Sequence, residues 1–516
     1  MTRNQPKTHK SLKNVFIFFC DNTSIHGFNR VTGGDITVFE RTFWAVLSLT
    51  TLIVCCLQIQ YLWGSYLESP VLITSDTFDI PVRQINFPGI AICNANKISK
   101  SRATQFAEEL LKNSSRSNKH FRSKEDILEA IKLIANLYDF NLNSDDELLS
   151  FQLFLEKYDN LSFPSDLTYR ITELAPTCDE MLAKCVWQGT ETNCAEYMRV
   201  RMTFDGPCCV FNYIRIAKRM KLFRKLNKNQ TSVKMEHALG AGIENGLQFA
   251  LHNTIDDYFV TTTEIKGYLV YVFNSYDFAD KSSGDLTEIL LNYGTETFIS
   301  MDVRVVDAQS SIQILTPKMR NCIFSDEQET KFGTYRHSDC LALCKVETMQ
   351  ALCGCIPFSQ PLNVSNYCSL IDLPCLNKFK MKWTNYYPVG EEDKDSLDFE
   401  KYESITCPHC LPACTNEVYD VSVDVTPLKN EPNHTYVHIF FNKNSGSSFK
   451  IDLQQTWFEM VSSFGGFISL MLGISFISVV EVFMLVGQLI LYFYRQLPRK
   501  KKVAPAKKIP VLAFLP

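Results

Sequence analysis

At 516 residues the chain has room for several domains, and 46% hydrophobic against 21% charged residues excludes a chain too polar to bury a core. The formal net charge of −4 gives no basic excess, and no nucleic-acid partner is expected. Bulk composition does not reveal a membrane protein, but two local stretches do.

Residues 1–41 carry six Lys and Arg side chains and no apolar stretch followed by a small-residue cleavage site, so no cleavable signal peptide is expected. From residue 42 to 67 there is no charge across 26 positions, and Phe43, Trp44, Val46, Leu47, Leu49, Leu52, Ile53 and Val54 form a dense apolar run. About 20 apolar residues cross a hydrocarbon core of about 30 Å, with Trp and Tyr favoured at its edges. Residues 42–67 are therefore read as a first transmembrane helix and signal anchor. Residues 457–494 read as a second, with Glu459 and Glu481 as their only charges, before a basic tail, 495–516, that holds seven Lys and Arg side chains. Cytoplasmic flanks are rich in Lys and Arg, so both tails are expected in the cytosol. Two spans require that agreement, and residues 68–456 are then extracellular.

Of nineteen cysteines, Cys20 lies in the N-terminal segment and Cys55 and Cys56 in the first span; the other sixteen lie in the loop, an even number that permits full pairing. Ten of them crowd between Cys322 and Cys414, a density that belongs to oxidising compartments. Cys353-Gly-Cys355 and Cys407-Pro-His-Cys410 invite a zinc reading, but structural zinc sites repeat a C-x2-C pair at matching spacing, and no clean second pair exists. No metal or cofactor is expected. Sequons at Asn113, Asn160, Asn229, Asn363 and Asn433 all fall in the loop and are expected to be glycosylated, whereas one at Asn22 is expected to stay silent in the cytosol.

Within the loop, apolar positions at helical spacing predict short surface helices over 102–140. Val, Ile, Thr and aromatic enrichment predicts strands of a central sheet at 267–276, 297–314 and 447–453. Residues 339–352 read as a helix stapled by cysteines, and 376–406, with the Glu391-Glu392-Asp393 run, as connecting structure. The chain total of −4, less +3 for the first tail and +7 for the second, leaves −14 between them. A negative outer domain raises local cation concentration, and the same acids equally serve solubility.

The second span is too long for a simple anchor: 38 residues at about 1.5 Å each make a helix of about 57 Å. It must extend beyond the bilayer or break inside it, and Ser462-Ser463-Phe464-Gly465-Gly466 and Gly473-Ile474-Ser475 offer places to break. Non-helical backbone at membrane depth survives only under protein cover or beside water. An intramembrane carboxylate such as Glu481 ordinarily faces a bundle interior or an aqueous path. The glycines equally suit close helix packing.

Gly473-Ile474-Ser475 resembles the Gly-x-Ser selectivity tract of the degenerin/epithelial sodium channel family, with Gly465-Gly466 and Glu481 at the offsets found there. His26-Gly27 is similar to that family's cytosolic His-Gly gating motif, and Phe87-Pro88-Gly89-Ile90-Ala91-Ile92-Cys93-Asn94 to its stretch after the first span. In this order around two apolar stretches and a cysteine-rich loop, the motifs identify the chain as a member over most of its length, most similar to the insect pickpocket branch.

The resemblance implies an α+β membrane protein in which two transmembrane helices flank a disulfide-rich extracellular domain with a central β-sheet and peripheral helices. It implies a homo- or hetero-trimer in the plasma membrane that conducts sodium ions, is blocked by amiloride, contacts the lipid bilayer and is gated through its outer domain for a sensory purpose; the extracellular ligand is left open. Gly473, Ile474 and Ser475 become the filter, Ser462, Gly465, Gly466 and Glu481 pore and gate residues, and Ser462, eleven residues before Gly473, the degenerin position. The implied bridges are Cys93 with Cys209, Cys178 with Cys208, Cys185 with Cys194, Cys322 with Cys414, Cys340 with Cys410, Cys344 with Cys407, Cys353 with Cys375 and Cys355 with Cys368. Acid-sensing relatives carry Trp-Gly before the cysteine that matches Cys322; here Met319-Arg320-Asn321 stands there, which leaves proton gating open.

Two other classes share features. A two-span glycosylated receptor of scavenger type would explain topology, sequons and cysteines but not the Gly-x-Ser tract or Glu481. An ATP-gated two-span trimer lacks paired lysines beside the spans. An enzyme is not expected, since no nucleophile, base and acid set, phosphate-cradling loop or zinc-protease helix is present.

Overall fold

The computed structural model describes residues 17, 19–32, 36–76, 79–114, 121–142, 144–159, 164–214, 235–283, 285–360, 366–387, 402–429 and 433–496. The chain divides into two compact units, Met1–Leu72 with Leu453–Pro516, and Ile73–Asp452.

In the first unit a helix runs over Val38–Glu68. It starts where Thr37 Oγ1 accepts from Glu40 N at 3.3 Å while Glu40 Oε2 accepts from Thr37 N at 3.1 Å. This reciprocal cap satisfies two of the free amides at a helix start and places the helix start four residues ahead of the apolar run. The helix is long and apolar enough to cross a membrane. The C-terminal apolar stretch forms two half-helices, Trp457–Leu472 and Phe476–Gln496, which together pass the same test but are bent by 75° at their junction. Thr456 and Glu459 cap the first half-helix with the same reciprocal pair. It packs against the Val38–Glu68 helix, and Gln454 N donates to Pro70 O at 2.9 Å beside their ends.

The second unit is mixed α and β and is built round a nine-stranded sheet. Its spine is Thr295–Ala308, where the even alternation of buried and half-buried residues follows from the two-residue period of a strand. One edge pairs antiparallel with Asn416–Pro427. The other edge is shared by Tyr436 to Phe441 and Ser447 to Ile451, both parallel, so that one interrupted strand lies along it. Leu247–His252 and Leu182–Trp187 continue the sheet. A five-stranded antiparallel sheet runs in the order Thr287–Asn292, Gly267–Phe273, Gly89–Asn94, Gly206–Phe211 and Arg199–Thr203. Its two central strands are fully buried and feed two cores. Ile90, Ile92, Tyr268 and Val270 face the larger core shared with the nine-stranded sheet, and Ala91, Cys93, Leu269 and Tyr271 face a smaller one.

A third core is helical. Lys100–Asn113, Lys124–Ile131, Asp145–Tyr158 and Pro164–Leu174 bury Phe106, Leu110, Ile127, Phe151 and Ile171 together with Leu373, Leu376 and Trp383. The predicted strand over 297–314 ends at Ala308 and becomes a 3-10 turn at Ser310–Ile314. The region 376–406 is not only connection: Leu373–Lys378 and Lys380–Thr384 are helical. The cysteine-stapled helix spans His337–Cys353 and stops at Gly354, whose φ of +72° suits a residue without a side chain.

Eight bridges cross the second unit. Cys185–Cys194, Cys322–Cys414, Cys340–Cys410, Cys344–Cys407, Cys353–Cys375 and Cys355–Cys368 join as the resemblance implied. Two differ: Cys93 joins Cys208, not Cys209, and Cys178 joins Cys209, not Cys208. Register is the cause. Ile92 lies opposite Cys209 on the neighbouring antiparallel strand, so Cys93 lies opposite Cys208 and shares its face in the smaller core, while Cys209 points into the larger core beside Cys178.

Candidate functional site

The break between the half-helices begins at Gly473, which takes φ +68° and donates its N–H to Ser469 O at 2.8 Å. A left-handed residue here ends the first half-helix without a side-chain penalty. Ser475 starts the second half-helix: its backbone N–H donates to Ser478 Oγ at 3.1 Å, and Ser478 N donates to Ser475 Oγ at 3.4 Å. Gly473-Ile474-Ser475 is thus a C-terminal stop, one linking residue and an N-terminal start within three positions.

The chain before the Val38–Glu68 helix reaches this break. His26 N donates to Leu472 O at 2.9 Å and so satisfies one of the carbonyls left over at a helix end. The His26 ring stands over Gly473 so closely that a Cβ there would lie 2.5 Å from it. Gly27, at φ +83°, lies so close to the first helix that a Cβ would meet Ser48 Oγ at 2.5 Å. The His26-Gly27 pair therefore touches both elements, the histidine the break and the glycine the first helix. Three residues earlier, Thr23 Oγ1 and Ser24 N each donate to Glu481 Oε2 at 3.0 Å, and Ser24 Oγ lies 2.5 Å from Ser478 Oγ. Among the described residues the Glu481 carboxylate is held by backbone and hydroxyl donors.

Sequence reading picked out His26, Gly27, Gly473, Ser475 and Glu481, and the fold brings all five into one constellation. It missed Thr23, Ser24, Ser48 and Ser478. Of these only Ser478 had a legible signal, as the last residue of a Ser-x-x-Ser helix start. Gly465 and Gly466 sit inside the first half-helix, and among the described residues nothing lies within 4 Å of a Cβ built on either. Ser462 is exposed in mid-helix, six residues past the Thr456 cap, so it caps nothing.

In the second unit Asn113 and Asn433 are exposed, as glycan carriers need to be; Asn160, Asn229 and Asn363 lie outside the described residues. Groups spaced for a metal ion occur at Cys340, His409 and Cys410, at Cys93, Asp205 and Cys208, and at Cys355, Cys368 and Asp372. Every cysteine among them is in a bridge, so no thiolate is available as ligand.

A broken apolar helix pair, an apolar helix beside it and a large disulfide-bonded domain are the parts of a membrane channel subunit, and the sequence profile of the amiloride-sensitive sodium channel matches residues 19–485. The chain belongs to that family, which is one of channels and not of enzymes. It is 24% identical to the sodium channel protein Nach of Drosophila melanogaster, over 91% of this chain and 86% of that protein. It is 24% identical to pickpocket protein 19 of the same organism, over 97% and 95%, and 23% identical to the human epithelial sodium channel subunit alpha, over 95% and 80%.

Proposed function

We propose that the chain is one subunit of a trimeric, sodium-selective, amiloride-sensitive channel of the plasma membrane, gated through its extracellular domain in a sensory role. In this reading residues 42–67 and 457–494 are the two spans, 68–456 lie outside the cell, and 1–41 and 495–516 lie in the cytosol. One helix cannot enclose a pore, so the second spans of associated subunits surround a central path, homomeric or with related chains. Gly473, Ile474 and Ser475 form its narrow ring, where backbone and hydroxyl oxygens replace part of the water around sodium.

The observation that carries this reading is the helix break at Gly473-Ile474-Ser475, in contact with His26 of the same chain, because irregular backbone inside an apolar helix pair has a use beside a water-filled path. A receptor without a pore has no need of that break. Whole-cell recording decides the matter: replacement of external sodium by N-methyl-glucamine is expected to remove inward current, and Gly473→Leu to abolish it while surface biotinylation stays unchanged. A Gly473→Leu protein that reaches the surface and conducts normally would place the filter elsewhere.

A further inference from the structure

Residues 23–26 cross the bend between the two half-helices. His26 N holds Leu472 O at the end of the first, while Thr23 and Ser24 hold Glu481, and Ser24 holds Ser478, in the opening turns of the second. Among the described residues of this unit, Thr23 and Ser478 are the buried polar side chains, 8% and 0% exposed. Burial of a hydroxyl is unfavourable unless it is hydrogen-bonded, and Ser478 Oγ meets three groups: Ser475 N at 3.1 Å, Ser475 Oγ at 3.3 Å and Ser24 Oγ at 2.5 Å.

Each hydroxyl has one hydrogen to give, and an ionised carboxylate has none. That fixes an order. Ser24 Oγ lies 3.3 Å from Glu481 Oε2 and donates to it. With that hydrogen committed, Ser24 Oγ accepts from the Ser478 hydroxyl. Ser478 Oγ, its own hydrogen now committed, accepts from the Ser475 N–H and from the Ser475 hydroxyl. The opposite order would set a Ser24 lone pair against the carboxylate and leave the Ser475 hydrogen without an acceptor in this chain of hydroxyls.

The direction matters to a cation. A hydroxyl binds a metal ion through an oxygen lone pair and repels it through the hydrogen, so a filter hydroxyl serves only when its hydrogen is held elsewhere. Hydrogen bonds in a row polarise one another. The carboxylate at Glu481 therefore acts on Ser475 through Ser24 and Ser478, although Glu481 itself lies six residues further along the second half-helix.

We infer that Ser24 and Ser478 are positioning residues for ion choice: they pass the polarity of the Glu481 carboxylate to the Ser475 hydroxyl, so that Ser475 offers sodium its oxygen and not its hydrogen. This rests on the channel reading above. It adds to that reading one residue from the segment before the first helix and one from the start of the second half-helix.

Bi-ionic recording of the full-length protein reads the sodium-over-potassium permeability ratio from the reversal potential. Ser24→Ala and Ser478→Ala each break the row of hydroxyls, and the ratio is expected to fall about two- to tenfold, the range that one neutral hydrogen bond carries. Glu481→Gln supplies an amide that donates as well as accepts, so the order is lost and a similar fall is expected. Ser24 is exposed, so Ser24→Thr has room for its methyl, keeps the hydroxyl and is expected to retain the wild-type ratio. A second measurement needs no current. With the two oxygens 2.5 Å apart, Ser24→Cys combined with Ser478→Cys in purified full-length protein is expected to close a bridge under mild oxidant and lose two thiols that the single variants keep. Failure of that bridge to form overturns the contact and the inference. A bridge and a sodium current with an unchanged ratio in both alanine variants overturns the inference and leaves the channel reading standing. Loss of surface protein in place of a changed ratio marks a purely structural role and overturns it too, while a wild-type protein without sodium current removes the reading and the inference together.

Discussion

Arg320 is 3% exposed, and its guanidinium donates to Cys322 O and Leu315 O at 2.9 Å, pairs with Glu327 and lies 4.9 Å over the Phe324 ring. Where acid-sensing relatives carry Trp-Gly, this chain has a buried cation, followed by Asn321 at φ +54°, a residue type that tolerates the left-handed region. Glu327→Gln leaves that cation without its counter-charge. A cost of about 3 kcal/mol is expected, at the lower end for a broken buried pair because Glu327 is 31% exposed. Thermal unfolding of the purified full-length protein reads it, and an unchanged midpoint would show that the two carbonyls suffice. His337 gives a pH dependence of known sign. Burial lowers its pKa below 6.5, and its Nδ1–H donates to Leu411 O at 3.0 Å. The unfolded chain then holds more protons than the folded one between the two pKa values, so this stability is whole above about pH 6.5 and drains as pH falls toward the folded value. His337→Asn is expected to flatten the fall in melting temperature between pH 7.5 and 5; a slope identical to wild type would remove His337 from the account.

Strand register makes a prediction of its own. Cys93→Ser with Cys208→Ser removes one whole bridge and leaves the three free thiols of the wild type, Cys20, Cys55 and Cys56. Cys93→Ser with Cys209→Ser strands Cys178 and Cys208 on opposite faces of a sheet and is expected to show two more. Equal thiol titres in the two double variants would contradict the register. Either variant is expected to lose about 2 to 4 kcal/mol per missing bridge. In the first half-helix Ser462 is exposed in mid-helix, with Thr456 as the cap. In the proposed trimer a bulky residue there would crowd a neighbouring subunit. If the closed pore is the crowded state, Ser462→Phe raises its energy by about 1 to 3 kcal/mol, which shifts the open-to-closed ratio about five- to 150-fold. Sustained amiloride-blocked current without a stimulus is the expected record. A well-expressed, silent Ser462→Phe channel that answers its usual stimulus would reject the degenerin role.

For the whole molecule, the proposed topology is tested by sugar. Asn113 and Asn433 are exposed in the cysteine-rich unit, and Asn113 Nδ2 donates to Tyr158 O at 3.3 Å, a long bond that a glycan can replace. Removal of each sequon by Asn113→Gln and Asn433→Gln is expected to lower the glycosylated mass by one step, and Asn22→Gln to change nothing. A shift with Asn22→Gln would put the N-terminal segment outside the cell and reverse both spans.

What could be read from the residues alone followed from local chemistry. Twenty-six positions without charge mark an apolar helix, an even cysteine count marks an oxidised domain, and a Gly-x-Ser tract with His26-Gly27 marks a family. Each is a property of contiguous residues, and the profile match over residues 19–485 supports the same family. The helix at 337–353 was visible for that reason, while most strands were not: Leu247–His252 and His434–Phe441 acquire meaning only beside Thr295–Ala308. Only tertiary structure decided which of two adjacent cysteines met Cys93, because alternation assigns neighbours to opposite faces and the register of a distant strand selects the face. It alone joined Thr23 and Ser24 to Glu481 across more than 450 residues, since a hydrogen bond depends on distance in space and sequence spacing carries none of that information.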